Sequence, residues 1–437
     1  MPPCAFTPPA YTGPAYDNVL ATRNKYVNPV SFMHFKQPLL LNVGHMQYLY
    51  NHENRRFLDL FGGVTTVGCG HSHPRITKVV SEQAAKINHT TTLYLHANLC
   101  QYAEAFAKKL PKQHEWTVHI TNSGSEANEF AMLMARVYTK VETFITLRNG
   151  YHGPNHLISV PSWKYNTPTP PGLLRLPCPH PYHGFLGTDV KKYLAEAEDI
   201  LRCENGGRVA GFLAERIQGV GGTVPLLDGY LPGIYDMVRQ RGGLCISDEV
   251  QCGFGRLGSA YWGFEHAGVV PDMVVCAKSV ANGWSVGVVA CRKEISDAMK
   301  GTLYFNTFGG NAICSAVAHE TLKIIDDEGL QKNCNDVGNH FSAGLKKLSE
   351  KHQIIGDVRG SGLLIGFELV KDRTTKAPAT TETAALHQAL MEKFSIISGK
   401  GGPNGNVIRI HPPMCLTKGD VDYSLYAIDQ VLSTIKV

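Results

Sequence analysis

The chain has no Cys-x-x-Cys pair, no lysine- or arginine-rich block, no internal repeat and no low-complexity tract. Its 12 cysteines are scattered over 437 residues without a His/Cys cluster at zinc spacing. That pattern predicts neither a disulfide framework nor a zinc module, and it suits a reduced compartment with most thiols buried. No apolar run approaches 18 residues, so no membrane-spanning helix is expected. Charged residues are only 18% and the formal net charge is +5, which disfavours nucleic-acid binding. The opening MPPCAFTPPAYTGPAYDNVL is Pro-rich and lacks both arginine and an apolar stretch. It reads as neither a secretory signal nor a mitochondrial presequence.

What is present is a length sufficient for two or three domains, 43% hydrophobic residues and 44 glycines, which suits a large core with many tight loops. Apolar runs at 116–121, 143–147, 209–214, 244–247, 273–277 and 287–290 predict strands. Between them lie helical patterns, including Ala127 to Tyr138, 190–203 and 230–241. Strand–helix alternation from about 116 to 291 predicts a doubly wound, mainly parallel α/β sheet. The segment 161–189, rich in Pro, His and Gly, is expected to be a surface loop without strands. Segments flanking 51–54 suggest a hairpin, and the texture beyond about 325–355 suggests a smaller α/β lobe. The expected division is 1–70 joining the small lobe, 71–325 forming the large domain, and 326–437 forming the rest of the small one. A cleft between lobes is the natural ligand site.

The central stretch is GLCISDEVQCGFGRLGSAYWGFEHAGVVPDMVVCAK, residues 243–278. It contains two short buried strands, one ending at Asp248 and the other before Lys278. Ligands of open α/β sheets sit beyond the carboxyl ends of the strands, so both side chains are placed to face one ligand. Burial lowers the pKa of a lysine and makes its amine a usable nucleophile. An acid beside a protonated ring nitrogen is its natural partner, and together they match what a pyridoxal phosphate (PLP) enzyme requires. Taken alone, each charge is more often simply solvated. The turn SGSEANE between a strand and a helix is an anion site or an ordinary cap. Tyr151 and His152 at a strand end face a planar ring or pack a loop. His71 with His73, and His180 with His183, lack further ligands at metal spacing, so no metal site is expected.

Several pieces occur in one order: SGSEANE, YHG, E-x-I-Q-G, DEVQCGFGR, the lysine of AKSVANG, and NTFGGN. Together they resemble the class-III aminotransferases of PLP fold type I over nearly the whole chain. The resemblance implies a transaminase that passes the amino group of L-alanine, or a similar small amino acid, to glyoxylate or another 2-oxo acid. A phospholyase acting on phosphorylated amino alcohols or hydroxylysine phosphate is the alternative within the same superfamily. By resemblance, Lys278 would carry the cofactor and Asp248 would hold its ring nitrogen. Gln251 would bond the phenolic oxygen, with Val250 and Tyr151 on the two ring faces and His152 beside them. Gly124 and Ser125 would bind the phosphate, joined by Thr307 from a neighbouring subunit of a homodimer or homotetramer. Glu215 would be a nearby acid, Arg409 would clamp the substrate carboxylate, and Gly62 would shape that end. A mitochondrial address is implied, with the cytosol as the alternative. The departures from the family pattern are Gly62, Arg216, Ser279, Ala281, Ser285 and Ala312. Val220 stands where relatives acting on ω-amines carry a second glutamate.

Overall fold

The computed structural model describes residues 1–29, 33–153, 171–203 and 205–435. Its centre is a seven-stranded sheet. In chain order the strands are β1 (Trp116–Thr121), β2 (Phe144–Leu147), β3 (Leu173–Leu176), β4 (Gly211–Ala214), β5 (Leu244–Asp248), β6 (Met273–Cys276) and β7 (Gly287–Arg292). Their spatial order is β1-β7-β6-β5-β4-β2-β3. Every neighbouring pair is parallel except those of β7, which runs antiparallel to both β6 and β1. Strands β2, β4, β5 and β6 are buried along their whole length. This is why they read as continuous apolar runs and not as alternating ones.

One expectation is corrected here. Part of the supposed strandless loop, Leu173–Leu176, is β3, paired in parallel with β2 at the sheet edge. Its Pro- and Gly-rich surroundings hid a four-residue LLRL run that needs only one partner. Residues 161–170 lie outside the described chain.

Helices cover both faces. The helix α1 (Gly124–Thr139) follows β1 and buries Ala127, Phe130, Ala131, Met134 and Ala135 against one face. On the other face, α2 (Val190–Cys203) and α3 (Tyr230–Gln240) bury Tyr193, Ala197, Leu201, Ile234 and Val238. Each such fully buried large apolar side chain contributes roughly 1.5–3 kcal/mol of transfer free energy.

Among the described residues a four-stranded and a five-stranded sheet accompany the large one, and Ile217–Gln218 pairs with Val224–Pro225 in a third. The hairpin expected around residues 51–54 is formed by Tyr48–Asn51 and Arg56–Asp59. The Asn51 side-chain oxygen accepts from the Glu53 and Arg55 amides, which holds the turn. Arg56–Asp59 also pairs in parallel with Ile396–Ile397, so the first strands of the chain join a strand near its end. The five-stranded sheet contains Ile355–Ser361, Leu364–Asp372, Val407–Ile410 and Gly399–Gly401. No described helix is long and apolar enough to cross a membrane.

Candidate active site

Strand β5 ends on Asp248, which is 1% exposed. Its Oδ2 lies 2.6 Å from His152 Nδ1 and accepts from Asn128 Nδ2 at 2.9 Å. Its Oδ1 accepts the Val250 amide at 3.0 Å. Asn128 comes from α1 and also donates to the His152 carbonyl, so helix, strand and loop are tied at one carboxylate. A carboxylate oxygen with a single donor still has a lone pair for another N–H. His152 Nε2 is buried with no hydrogen-bond partner among the described residues.

One strand over, β6 ends at Cys276, and Lys278 opens a short 3₁₀ turn, Lys278–Ala281. Its φ of +52° is left-handed, a conformation that costs a non-glycine residue roughly 1–2 kcal/mol and must be imposed by its surroundings. Burial and the Arg409 guanidinium push the half-buried Lys278 amine down to about 8, against the pull of Glu215 and Asp248. That brings an appreciable neutral fraction near physiological pH.

Glu215 follows β4. Its Oε1 accepts the Tyr151 amide at 3.2 Å and its Oε2 accepts the Gly219 amide at 2.9 Å. Burial first, and then the Asp248 charge, raise its pKa above the usual carboxylate value. Gln251 Nε2 points to Glu215 Oε2 at 3.4 Å, while its Oε1 accepts from Arg409 Nη2 at 2.8 Å. Arg409, on Val407–Ile410, is 4% exposed, and its guanidinium lies over the Phe61 ring at 5.5 Å.

The phosphate end expected at Gly124 and Ser125 is the first turn of α1. Ser123 caps it, its Oγ accepting the Glu126 amide at 3.1 Å. A Cβ on Gly124 would stand 3.1 Å from both methyl groups of Val250 and 3.3 Å from Ala277 Cβ. The missing side chain therefore lets Val250 and the segment before the lysine pack closely on the helix start.

Gly62 begins a left-handed turn, Gly62–Thr65, with φ values of +55° and +58° at the two glycines and +64° and +66° at Val64 and Thr65. A Cβ on Gly62 would stand 3.0 Å from the His411 carbonyl, so glycine is favoured there by both conformation and space. Asp59 Oδ1 accepts the Phe61 and Gly62 amides at 2.8 and 2.9 Å. Thr307 lies on an exposed segment, 301–305 and 307–308, with Leu303, Phe305 and Phe308, next to Asn306, which accepts from Asn122 Nδ2 at 3.3 Å.

The remaining histidines are placed otherwise. His71 binds Asp59 at 2.7 Å, and His73 caps the helix Pro74–Ala84 and reaches Glu328 at 3.0 Å. His183 binds Glu368 at 2.6 Å, and His180 accepts the amides of Tyr182 and His183. Among the described residues no group of three or more metal-type side chains is assembled.

The sequence departures have local partners. Arg216 donates to the Leu226 carbonyl and to Asp228. Ser279 donates to the Thr65 carbonyl at 2.9 Å and Ser285 to the Asn122 carbonyl at 2.6 Å. Sequence reasoning assigned no role to Asn128, Thr65, Thr223 or His411. Only Asn128 carried a signal, its place inside SGSEANE.

The residues fit PLP. An acid with spare acceptor capacity, a lysine whose amine is pushed down to about 8, and the N-terminus of a helix match a pyridine nitrogen, an aldehyde and a phosphate.

A model of the aminotransferase class-III family matches residues 34–432. The chain is 43% identical over 438 residues to alanine–glyoxylate aminotransferase 2 homolog 2, mitochondrial, of Arabidopsis thaliana, covering 99% of this chain and 91% of that protein. A Bacillus anthracis aminotransferase superposes with a TM-score of 0.89 at 26% identity, covering 96% of this chain and 98% of that one. A phospholyase from Arthrobacter in complex with phosphoethanolamine superposes at 0.88 with 29% identity, covering 96% and 100%.

Proposed function

Since this chain belongs to the class-III aminotransferase family, whose members depend on PLP, we propose that it transfers the amino group of L-alanine, or a similar small amino acid, to glyoxylate or another 2-oxo acid with ping-pong kinetics. The observation that carries this reading is the meeting of Asp248, Glu215 and Lys278 at or just beyond the carboxyl ends of β5, β4 and β6, with Gln251 linking Glu215 to Arg409 of Val407–Ile410. The activity for which the Arabidopsis relative is named supports the donor and acceptor.

When bound, PLP supplies the electron sink for the carbanion formed at the substrate Cα. The protein does the rest. Lys278 would hold the cofactor covalently and, once displaced by the substrate amine, would move the proton from the amino-acid Cα to the cofactor carbon that bears the nitrogen. In the other half-reaction it would move a proton from that carbon to the Cα of the new amino acid. Asp248, oriented by His152 and Asn128, keeps the ring nitrogen protonated. Val250 and Tyr151 would hold the ring between them, Gln251 would donate to the phenolic oxygen, and Glu215 would add a nearby acid. Gly124 and Ser125 present the start of α1 to the phosphate, where free N–H groups and the helix dipole favour an anion. Arg409 binds the substrate carboxylate in the paired geometry a guanidinium suits. Gly62 lets its turn lie directly against the His411 carbonyl at that end.

Leu93, Tyr94, Leu95, Leu303, Phe305 and Phe308 are exposed, Leu95 at 99% and Leu303 at 96%. Apolar side chains so exposed favour burial by a second copy of the chain. Thr307 lies among them and would reach the partner's phosphate site in a homodimer. The relative's name favours a mitochondrial location.

The deciding experiment is a visible spectrum of the purified protein with PLP. L-alanine should shift the cofactor band and glyoxylate should restore it. A band that ignores alanine, with phosphate released from phosphoethanolamine, would replace this reading by a phospholyase, the activity named for the Arthrobacter neighbour.

A further inference from the structure

His411 follows the strand that carries Arg409 and is completely buried. Its Nε2 lies 3.0 Å from Thr223 Oγ1. Its Nδ1 lies 3.0 Å from Thr65 Oγ1 and 3.3 Å from Arg409 Nη2. A guanidinium can only donate, so Nδ1 must accept. The ring proton therefore sits on Nε2 and is donated to Thr223. This assigns one tautomer of a neutral imidazole, set by its neighbours.

Burial holds the His411 pKa well below its ordinary value, and Arg409, Arg256 and Lys278 oppose a further positive charge. Among the described residues no carboxylate is hydrogen-bonded to the ring; its partners there are Thr65, Thr223 and Arg409. A second cation beside Arg409 would compete for the same substrate anion, and a neutral acceptor does not. The two threonines come from separate places, Thr65 from the left-handed turn and Thr223 from the segment before Val224–Pro225. Arg409 Nη2 is thus shared between His411 Nδ1 and Gln251 Oε1, with the Phe61 ring across its face.

We propose that His411 is a positioning residue for substrate selection: clasped by Thr65 and Thr223, it fixes the Arg409 guanidinium so that the site takes substrates bearing a carboxylate beside the reacting carbon. This rests on the reading of Arg409 as the carboxylate clamp. An amine without a carboxylate would forgo the ion pair with this fixed guanidinium and binds more weakly for that reason.

The test compares PLP-loaded wild type, His411→Leu and His411→Asn. Leucine has comparable bulk and no acceptor, whereas the asparagine Oδ1 reaches the position of Nδ1. His411→Leu should raise KM for both L-alanine and glyoxylate roughly tenfold to a hundredfold, with kcat at saturation within a few-fold of wild type. Calorimetric binding of glycolate, a carboxylate that cannot transaminate, should weaken by a similar factor. His411→Asn should restore both, and PLP occupancy by absorbance should be equal in all three. Wild-type KM and glycolate affinity in His411→Leu would overturn the proposal, as would a parallel fall in kcat and PLP occupancy with KM unchanged. Should His411→Leu fail to fold, Thr223→Val removes only the hydroxyl that receives the ring proton. A rise in KM of a few-fold supports the proposal and an unchanged KM overturns it. Should the wild type bind glycolate but not transaminate alanine, the proposed reaction fails, while the glycolate comparison still decides the role of His411.

Discussion

Arg409 Nη2 donates to the Gln251 carboxamide oxygen at 2.8 Å, across 158 residues of chain. Because arginine can only donate, the amide must present its oxygen to Arg409 and its nitrogen to the side where Glu215 lies. Arg409 thereby sets the orientation of Gln251, so the residue proposed to meet the cofactor is held by the residue proposed to bind the substrate.

Gln251→Ala should therefore weaken both ends together. KM for alanine and glyoxylate should rise roughly tenfold, since a hydrogen bond to a charged group is removed. The affinity for PLP should fall as well. Steady-state kinetics over a range of PLP concentrations separate the two effects, and a change in only one would show that the link is not used.

Lys278→Ala should lose the long-wavelength absorbance of the lysine-linked cofactor and essentially all transamination. Asp248→Asn should keep PLP but lower kcat by roughly a hundredfold or more, because the charge stabilising the transition state is gone. Normal turnover in the lysine variant would end the proposed mechanism.

The Lys278 amine titrates at about 8, and only its neutral form attacks an aldehyde. The rate of PLP incorporation into the apoprotein should thus rise with pH and level off above about 8. The Arg409 charge is one of the causes that lower this pKa. Arg409→Ala should shift the midpoint to higher pH and weaken carboxylate substrates far more than PLP. A midpoint unmoved by the substitution would mean that Arg409 does not act on the amine.

Glu368 is a stability site. Burial alone would raise its pKa, but the His183 hydrogen bond and Arg359 hold it at about 2. A depressed folded-state pKa stabilises the protein above the ordinary carboxylate pKa, and that contribution fades as pH falls from about 4.5 to about 2. It is on the order of 3 kcal/mol. Glu368→Gln should be less stable at pH 7 and show a flatter loss of stability over that acid window, measured by urea unfolding at fixed pH.

Much of the arrangement around Asp248 and Lys278 was legible in the sequence. Each lies at the end of a fully buried strand, and burial on both faces leaves an uninterrupted apolar run. The antiparallel direction of β7 was not legible, because periodicity reports which residues are buried and not which way the strand runs. Strand β3 was hidden by its neighbours' composition. His411, Thr65 and Thr223 meet over separations of 346 and 188 residues, and nothing local to any of them marks the meeting.

The turn Gly62–Thr65 bears on the order in which the molecule assembles. Val64 and Thr65 are β-branched, and their own energetics disfavour positive φ. The nearby Asp59 supports only the entrance to the turn, whereas Thr65 is held by His411, Gln251 and Ser279 from distant parts of the chain. An isolated N-terminal hairpin would not keep this shape, so the carboxylate end of the pocket matures only after the C-terminal strands have docked. In pulse-labelling hydrogen exchange during refolding, the Thr65 to Val67 amides should gain protection later than those of β5 and β6. The pocket would then be last to form although its first residues are among the first synthesised, and a chain cut short before Arg409 would build the sheet without acquiring a place for substrate.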